Sequence, residues 1–306
     1  MKLSLVICTR NRAPQLNDAL QSLLKLDEPK DWELVIVDNG STDDTAGVIE
    51  RFRSRFPHDL IAIFEPDPGL AIARNRGWLC AGGDVIAFSD DDCYPAEDLL
   101  ANIGRCFEED PRLGFVGGRI LLHDPTDYPV TLQRGEHRED ISRGQFIPTG
   151  TIQGANLACR RAALESVGGF DERLGVRWSF PSEDIDVVAR MSAQGWRGAF
   201  DPRLRVYHHH RRKSSKEAVP ILKRYDRGRG AYYAKCLANP LLRRVCLGYW
   251  LGSVGDQSWR RTVRELAGCM EYGARAVAAW VRSPEVRPIP APLTALEETE
   301  PERRHA

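Results

Sequence analysis

The chain has 306 residues, 42% hydrophobic and 28% charged, the balance of an ordinary globular protein large enough for one domain plus an appendage. Lys plus Arg and Asp plus Glu both number 43, so no net charge points to nucleic acid or another highly charged partner. No apolar run reaches the ~18 residues of a membrane span, and the run of about five after Lys2 is too short for an export signal.

Eight cysteines are scattered with no CxxC spacing, which argues against a zinc site. With no export signal they are expected to be reduced thiols of a cytoplasmic protein.

Residues 3–8 are apolar and β-rich, the mark of a buried strand, and Thr9-Arg10-Asn11-Arg12 follows as a polar turn. Leu16, Ala19, Leu20, Leu23 and Leu24 then recur at helical spacing behind Pro14. Residues 34–37 form a second buried strand, ending at Asp38. Ser41 or Thr42 is expected to cap the helix that carries Ala46, Val48 and Ile49. A third strand spans 60–64, a helix 69–81 and a fourth strand 84–88.

Asp90-Asp91-Asp92 follows that fourth strand at once. Three adjacent carboxylates repel, so holding them together calls for a cation or a shift in protonation. Oxygen ligands at a strand end suit Mg²⁺ or Mn²⁺, which bind through one or two carboxylates plus substrate phosphates. Strands alternating with helices predict an α/β fold, a mostly parallel sheet covered on both faces. Ligands of such sheets bind beyond the carboxyl ends of the strands, where 9–12, 38–43 and 90–92 should converge. The turn after strand one lacks glycine, which excludes the GxGxxG dinucleotide fingerprint, and no GxxxxGK[ST] loop is present.

In the second half, 114–122 reads as a strand and 123–148 as a polar, mobile loop. Residues 153–159 lead into a helix over 160–167, and Ser182-Glu183-Asp184-Ile185-Asp186 opens another that ends at Gly195. Residues 203–229 hold ten Lys or Arg against two acids and include His208-His209-His210. From 241 to 282 the chain reads as helical, with Trp259, Val263, Leu266, Met270, Ala274 and Val277 in one stripe. Five prolines and an acidic patch after Ser283 read as a disordered tail. The expected domains are 1–212 for catalysis, 213–282 as a basic, amphipathic helical extension, and 283–306 as the tail.

Taken together, these segments resemble the family-2 glycosyltransferases with a nucleotide-sugar-binding GT-A fold. The resemblance rests on Val6-Ile7-Cys8-Thr9-Arg10-Asn11-Arg12, Val37-Asp38-Asn39-Gly40-Ser41-Thr42-Asp43-Asp44-Thr45 and Gly69-Leu70-Ala71-Ile72-Ala73-Arg74-Asn75-Arg76-Gly77. Phe88-Ser89-Asp90-Asp91-Asp92, Gly154-Ala155-Asn156 with Arg160-Arg161, Gly168-Gly169-Phe170-Asp171-Glu172, Glu183-Asp184 and Val206-Tyr207-His208 complete it. It implies transfer of one sugar from a nucleoside-diphosphate sugar, UDP-type, to a hydroxyl of a glycan, lipid-linked or small acceptor.

The resemblance assigns roles residue by residue. Thr9, Arg12, Asp38, Arg74, Asp90 and Asp91 would bind the nucleotide. Asp92, with Asp90 and His208, would hold Mn²⁺ or Mg²⁺, and of the triplet Asp90 would tolerate substitution best. Asp184 would be the general base of an inverting displacement. Gly154, Ala155, Asn156 and Glu183 would line the acceptor side, and the loops around 123–150 and 171–182 would set the sugar and acceptor.

The processive members carry QxxRW before membrane spans. Here that region reads Tyr225-Asp226-Arg227-Gly228-Arg229-Gly230, which points to a single transfer. The amphipathic helix is expected to pack on the catalytic domain; the alternative is an anionic membrane surface, where lipid-linked acceptors would be found. A catalytically silent sugar-binding relative would have lost the aspartates. A sugar nucleotidyltransferase would show glycine and lysine after strand one, which are missing.

Overall fold

The computed structural model describes residues 1–26, 31–175 and 180–282, without the side chains of 279–282. The tail expected over 283–306 and residues 176–179 of the acceptor-side loop lie outside the described residues.

Strand β1 (Leu3–Thr9) pairs in parallel with β2 (Trp32–Asp38) and β4 (Val85–Asp90), and β2 with β3 (Asp59–Phe64). The apolar runs of β1, β2 and β4 are buried on both faces, as a covered parallel sheet requires. On one face Leu3, Leu5 and Ile7 pack against Leu16 and Leu20 of α1 (Ala13–Leu23), Phe52 of α2 (Thr45–Arg53) and Ile103 of α4 (Leu99–Glu109). On the other, Val6, Val35 and Val37 pack against Ala73 of α3 (Leu70–Cys80). The register sets Thr9 beside Asp38 and Cys8 beside Asp90, so three chain reversals open at one sheet edge.

The sheet continues through β5 (Cys93–Pro95), β6 (Leu113–Leu122), β7 (Glu139–Ile141), β8 (Leu157–Arg160) and β9 (Arg197–His208). Its order is β3-β2-β1-β4-β8-β6-β9-β5, with β7 also on β9. Only β5, β7 and β8 run against the other six described strands. Helices α5 (Arg161–Val167) and α6 (Glu183–Ala193) follow β8 and precede β9.

Several expectations need correction. Helix α2 is capped by neither Ser41 nor Thr42. Asp43 accepts the Thr45 amide at 3.2 Å and the Ala13 amide at 3.0 Å, while Ser41 and Thr42 bind Asn11. The segment 123–148 is not a free polar loop: Val130, Ile141, Phe146 and Ile147 are buried and β7 sits within it. Residues 157–160, expected to lead into a helix, form β8, inserted between β4 and β6. Part of the basic stretch is strand β9, whose Leu204, Val206 and His208 point inward at period two. Its charge is balanced by Arg203 on Asp201 and Glu109, and Arg205 on Asp98.

Helices α7 (Ser215–Ala238), α8 (Arg243–Val254) and α9 (Trp259–Arg282) follow. Tyr232, Tyr233, Cys236, Cys246 and Trp250 join the same core cluster as Ile147, Val187 and Met191. Helix α9 does not pack through its apolar stripe. It meets α7 where neither backbone leaves room for a side chain: a Cβ on Gly230 would stand 1.9 Å from the Glu265 carbonyl, and one on Gly268 2.1 Å from that of Arg227.

Lys235 of α7 joins the extension to the sheet layer. Its ammonium reaches Asp171 at 2.5 Å and Asp186 of α6 at 2.8 Å, and the Tyr272 hydroxyl donates to Asp171. Without Lys235, Asp171 keeps Arg173 and Asp186 keeps Arg190, so neither carboxylate is left unpaired. Lys235→Met should therefore lower stability by about 1.5–3 kcal/mol, the worth of a charge-assisted hydrogen bond, read as a fall in the urea midpoint. A midpoint unchanged from the parent would show that Lys235 does not hold the helices in place.

Candidate active site

The sheet edge gathers side chains from six elements. From the β1 turn, the Thr9 hydroxyl donates to Asp91 at 2.7 Å. Arg12 spans two carboxylates, reaching Asp91 at 3.1 Å and Asp92 at 2.6 Å. Thr9 and Arg12 thus brace the aspartates. At the end of β2 the buried Asp38 accepts the Ser41 amide at 2.9 Å through one oxygen.

Arg74 is the centre of the arrangement. Helix α3 carries its guanidinium into the interior, where it meets Asp90 at 3.2 Å and Glu183 at 2.9 Å. The Phe170 ring lies 5.7 Å from it, a cation–π distance. Asn75 holds that ring's backbone by bonding both the amide and the carbonyl of Phe170. Gly154 leaves the space: a Cβ there would stand 2.4 Å from the guanidinium.

The three aspartates are chemically unequal. Burial pushes the Asp91 carboxyl up to about 7, against the pull of Arg12 and Thr9. Burial raises Asp90 as well, opposed by Arg74. Burial also acts on Asp92, but the bond to His208 and the charge of Arg12 outweigh it and hold this carboxyl well below its usual range. The repulsion foreseen for three adjacent carboxylates is thus met by two arginines and by shifted protonation.

His208, at the end of β9, directs Nε2 to Asp92 at 3.3 Å, and its Nδ1 lies 3.2 Å from the Thr131 hydroxyl. Asp92, Cys93 and His208 place ligand-type atoms within 4.8 Å of one another. Burial raises the Cys93 thiol far above its usual range, so it is a poor ligand for a hard cation. A carboxylate and an imidazole remain, with the Asp90 carboxylate part-exposed nearby, a donor set that suits Mn²⁺ or Mg²⁺.

Asp184 stands at the first turn of α6, beside the 154–156 turn. One oxygen accepts the Gly154 amide at 2.7 Å and the other the Ile185 amide at 2.7 Å. Two backbone donors fix its plane. The Glu183 carboxylate turns the other way, to Arg74, and burial raises it. Of the residues expected on the acceptor side, Gly154 and Ala155 form a short 3₁₀ turn with Asn156. The Asn156 amide is already used, donating to the carbonyls of Arg119 at 2.9 Å and Leu204 at 3.2 Å.

Three contributors were not foreseen. Thr131 fixes His208, and Phe170 lies under Arg74. Tyr225 of α7 lies beside the site: it stays 37% exposed, and partial desolvation with the charges of Asp184, Asp90 and Glu183 raises its hydroxyl. Phe170 lay inside a recognised motif, whereas no pattern links Tyr225 to Asp90.

The comparisons with known proteins bear on the family and the fold. The profile of glycosyl transferase family 2 matches residues 4–168. An uncharacterized glycosyltransferase of Nostoc is 31% identical over 184 residues, covering 58% of this chain and 56% of that protein. The pre-mycofactocin glycosyltransferase of Mycobacterium tuberculosis is 30% identical over 222 residues, covering 68% of this chain and 43% of that one. The chain spans about half the length of the curated relatives it matches, 43–56% of the first three.

Among solved structures, a mannosyltransferase of Pyrobaculum calidifontis in complex with GDP-Man and Mn²⁺ superposes with a TM-score of 0.62. It is 20% identical, covering 92% of this chain and 81% of that one. TarS of S. aureus with UDP-GlcNAc gives 0.59 at 19% identity, covering 80% and 69%. These likenesses show the fold, a GT-A-type α/β architecture. With the family profile matching more than half of its residues, this chain belongs to glycosyl transferase family 2.

Proposed function

We propose that the chain transfers one hexose from a nucleoside-diphosphate sugar to an acceptor hydroxyl, by a single displacement that inverts the anomeric centre. The observation that carries this reading is Asp184. It is a single carboxylate held by two backbone amides, on the same sheet edge as the aspartate triplet and joined to it through Glu183 and Arg74. A displacement of this kind needs one base to take the acceptor proton as the hydroxyl attacks.

The donor nucleotide lies along Thr9, Arg12, Asp38 and Asp91. The second oxygen of Asp38 is left to accept an N–H from a uracil-type base, which favours a UDP-sugar. The metal, Mn²⁺ or Mg²⁺, would be held by Asp92 and His208 with Asp90 beside them, and when bound it neutralises charge on the diphosphate. Arg74 keeps Asp90 and Glu183, the neighbour of Asp184, at a fixed separation. The acceptor enters over Gly154 and Ala155 beside Asp184, and Tyr225 closes the α7 side. The two solved relatives bind GDP-Man and UDP-GlcNAc, so their edges accept a sugar nucleotide.

Three measurements test this. Asp184→Asn should cut turnover by roughly 10²- to 10⁴-fold while the donor still raises the melting temperature; near-normal turnover would remove Asp184 as the base. Asp92→Ala and His208→Ala should each abolish the extra thermal shift that Mn²⁺ adds to a UDP-sugar, and a shift that survives both would place the cation elsewhere. Gly154→Ala should drive Arg74 off its two partners. Charge-assisted hydrogen bonds are worth about 1.5–3 kcal/mol, so kcat/KM should fall roughly 10- to 100-fold. A fully active variant would show that the Arg74 bridge is not needed.

A further inference from the structure

Eleven of the seventeen large apolar side chains that the described residues leave exposed lie between Leu241 and Val277. Helix α8 has no charged residue after Arg244, and only its Cys246 and Trp250 are buried. Val245, Leu247, Tyr249, Leu251 and Val254 are all exposed, Leu251 at 65%. A helix that is apolar all round is ordinarily buried; this one is covered on one side only. On α9 the whole stripe foreseen as a packing face points outward, with Trp259 at 71% and Met270 at 69% exposure.

The charge around this face is one-sided. Between 241 and 278 there are six arginines and three acids. Glu265 and Glu271 engage Arg261 and Arg275, Asp226 of α7 takes Arg264, and the third acid, Asp256, is exposed between the two helices. Arg243, Arg244 and Arg260 are exposed and have no acidic partner among the described residues. Arg243 and Arg244 open α8, and Arg260 lies over the Trp259 ring at the start of α9. Cations therefore sit at the beginning of the apolar helix α8 and of the apolar stripe of α9.

We propose that α8 and the outer stripe of α9 dock on an anionic lipid bilayer. The apolar side chains enter the boundary between headgroups and acyl chains, and Arg243, Arg244 and Arg260 meet lipid phosphates. Trp259, apolar with one N–H, suits that boundary. Charge complementarity selects this occupant over a second copy of the chain. A second copy of this patch would bring more unpaired arginine than free carboxylate to the contact, whereas an anionic headgroup layer supplies the missing negative charge. The contact is peripheral, since no described helix is long and apolar enough to cross a membrane. This association is independent of the sugar-transfer reading.

Sedimentation of the full chain with vesicles tests it without any turnover. The protein should pellet with phosphatidylcholine vesicles containing phosphatidylglycerol, less so at higher salt, and not with phosphatidylcholine alone. Leu251→Glu and Trp259→Glu should each weaken partitioning about tenfold or more. The double variant Arg243→Glu/Arg244→Glu should remove the preference for anionic lipid. All should keep the parent's melting temperature. No pelleting of the parent, or pelleting unchanged in all three variants, overturns the proposal. So does a stable dimer in solution that Leu251→Glu dissociates while the parent stays off the vesicles.

Discussion

A guanidinium taken out of water must recover its lost hydration from fixed partners, and Arg74 recovers it from two carboxylates far apart in sequence. Asp90 ends the fourth strand and Glu183 begins α6. Removing either carboxylate would leave a buried charge half paired, a loss of several kcal/mol. The neighbours are shaped around this requirement. Gly154 has no side chain because the guanidinium occupies its place, Phe170 offers a ring face, and Asn75 grips the Phe170 backbone. The catalytic edge is thus one electrostatic unit made from both halves of the chain.

That unit also explains why adjacent aspartates can differ. Burial works on all three in the same direction, so their differences come from their partners. Asp92 has both an arginine and a histidine and stays ionised most easily. Asp91 shares Arg12 with it and is more deeply desolvated than it is compensated. Asp90, expected to be the most replaceable, is the member that joins the triplet to Arg74. Order within a motif says little about such roles, because the partners arrive from Arg12, Arg74 and His208, each set by a different strand or helix.

The parallel half of the fold was legible because each strand is a short apolar run followed by polar turn residues, and burial on both faces demands such runs. The second half was harder to read for physical reasons. Strand β8 is four residues long and takes its place only because β4 and β6 flank it. Strand β9 hides an alternating pattern under arginines that are neutralised by acids distant in sequence. The stretch 123–148 has few apolar residues, yet Phe146 and Ile147 find a core supplied by Tyr232 and Tyr233 of α7. Local sequence carries propensity, whereas these three cases depend on partners. That the polar residues at the strand ends gather at one edge was readable for the same reason as the strands; the place of Thr131 beside His208 was not, since it comes from tertiary packing alone.

The C-terminal helices are tied to the chemistry by a short route. Asp184 and Asp186 lie two residues apart at the start of α6, and Asp186 pairs with Lys235 of α7. Helix α7 in turn is locked against α9, backbone to backbone, at Gly230 and Gly268. Close-packed backbones without intervening side chains have little freedom to slide. The outward face of α9 is therefore set relative to Asp184 by two rigid contacts and one buried ion pair. The position of that face relative to Asp184 is thus fixed by packing rather than left to a flexible linker.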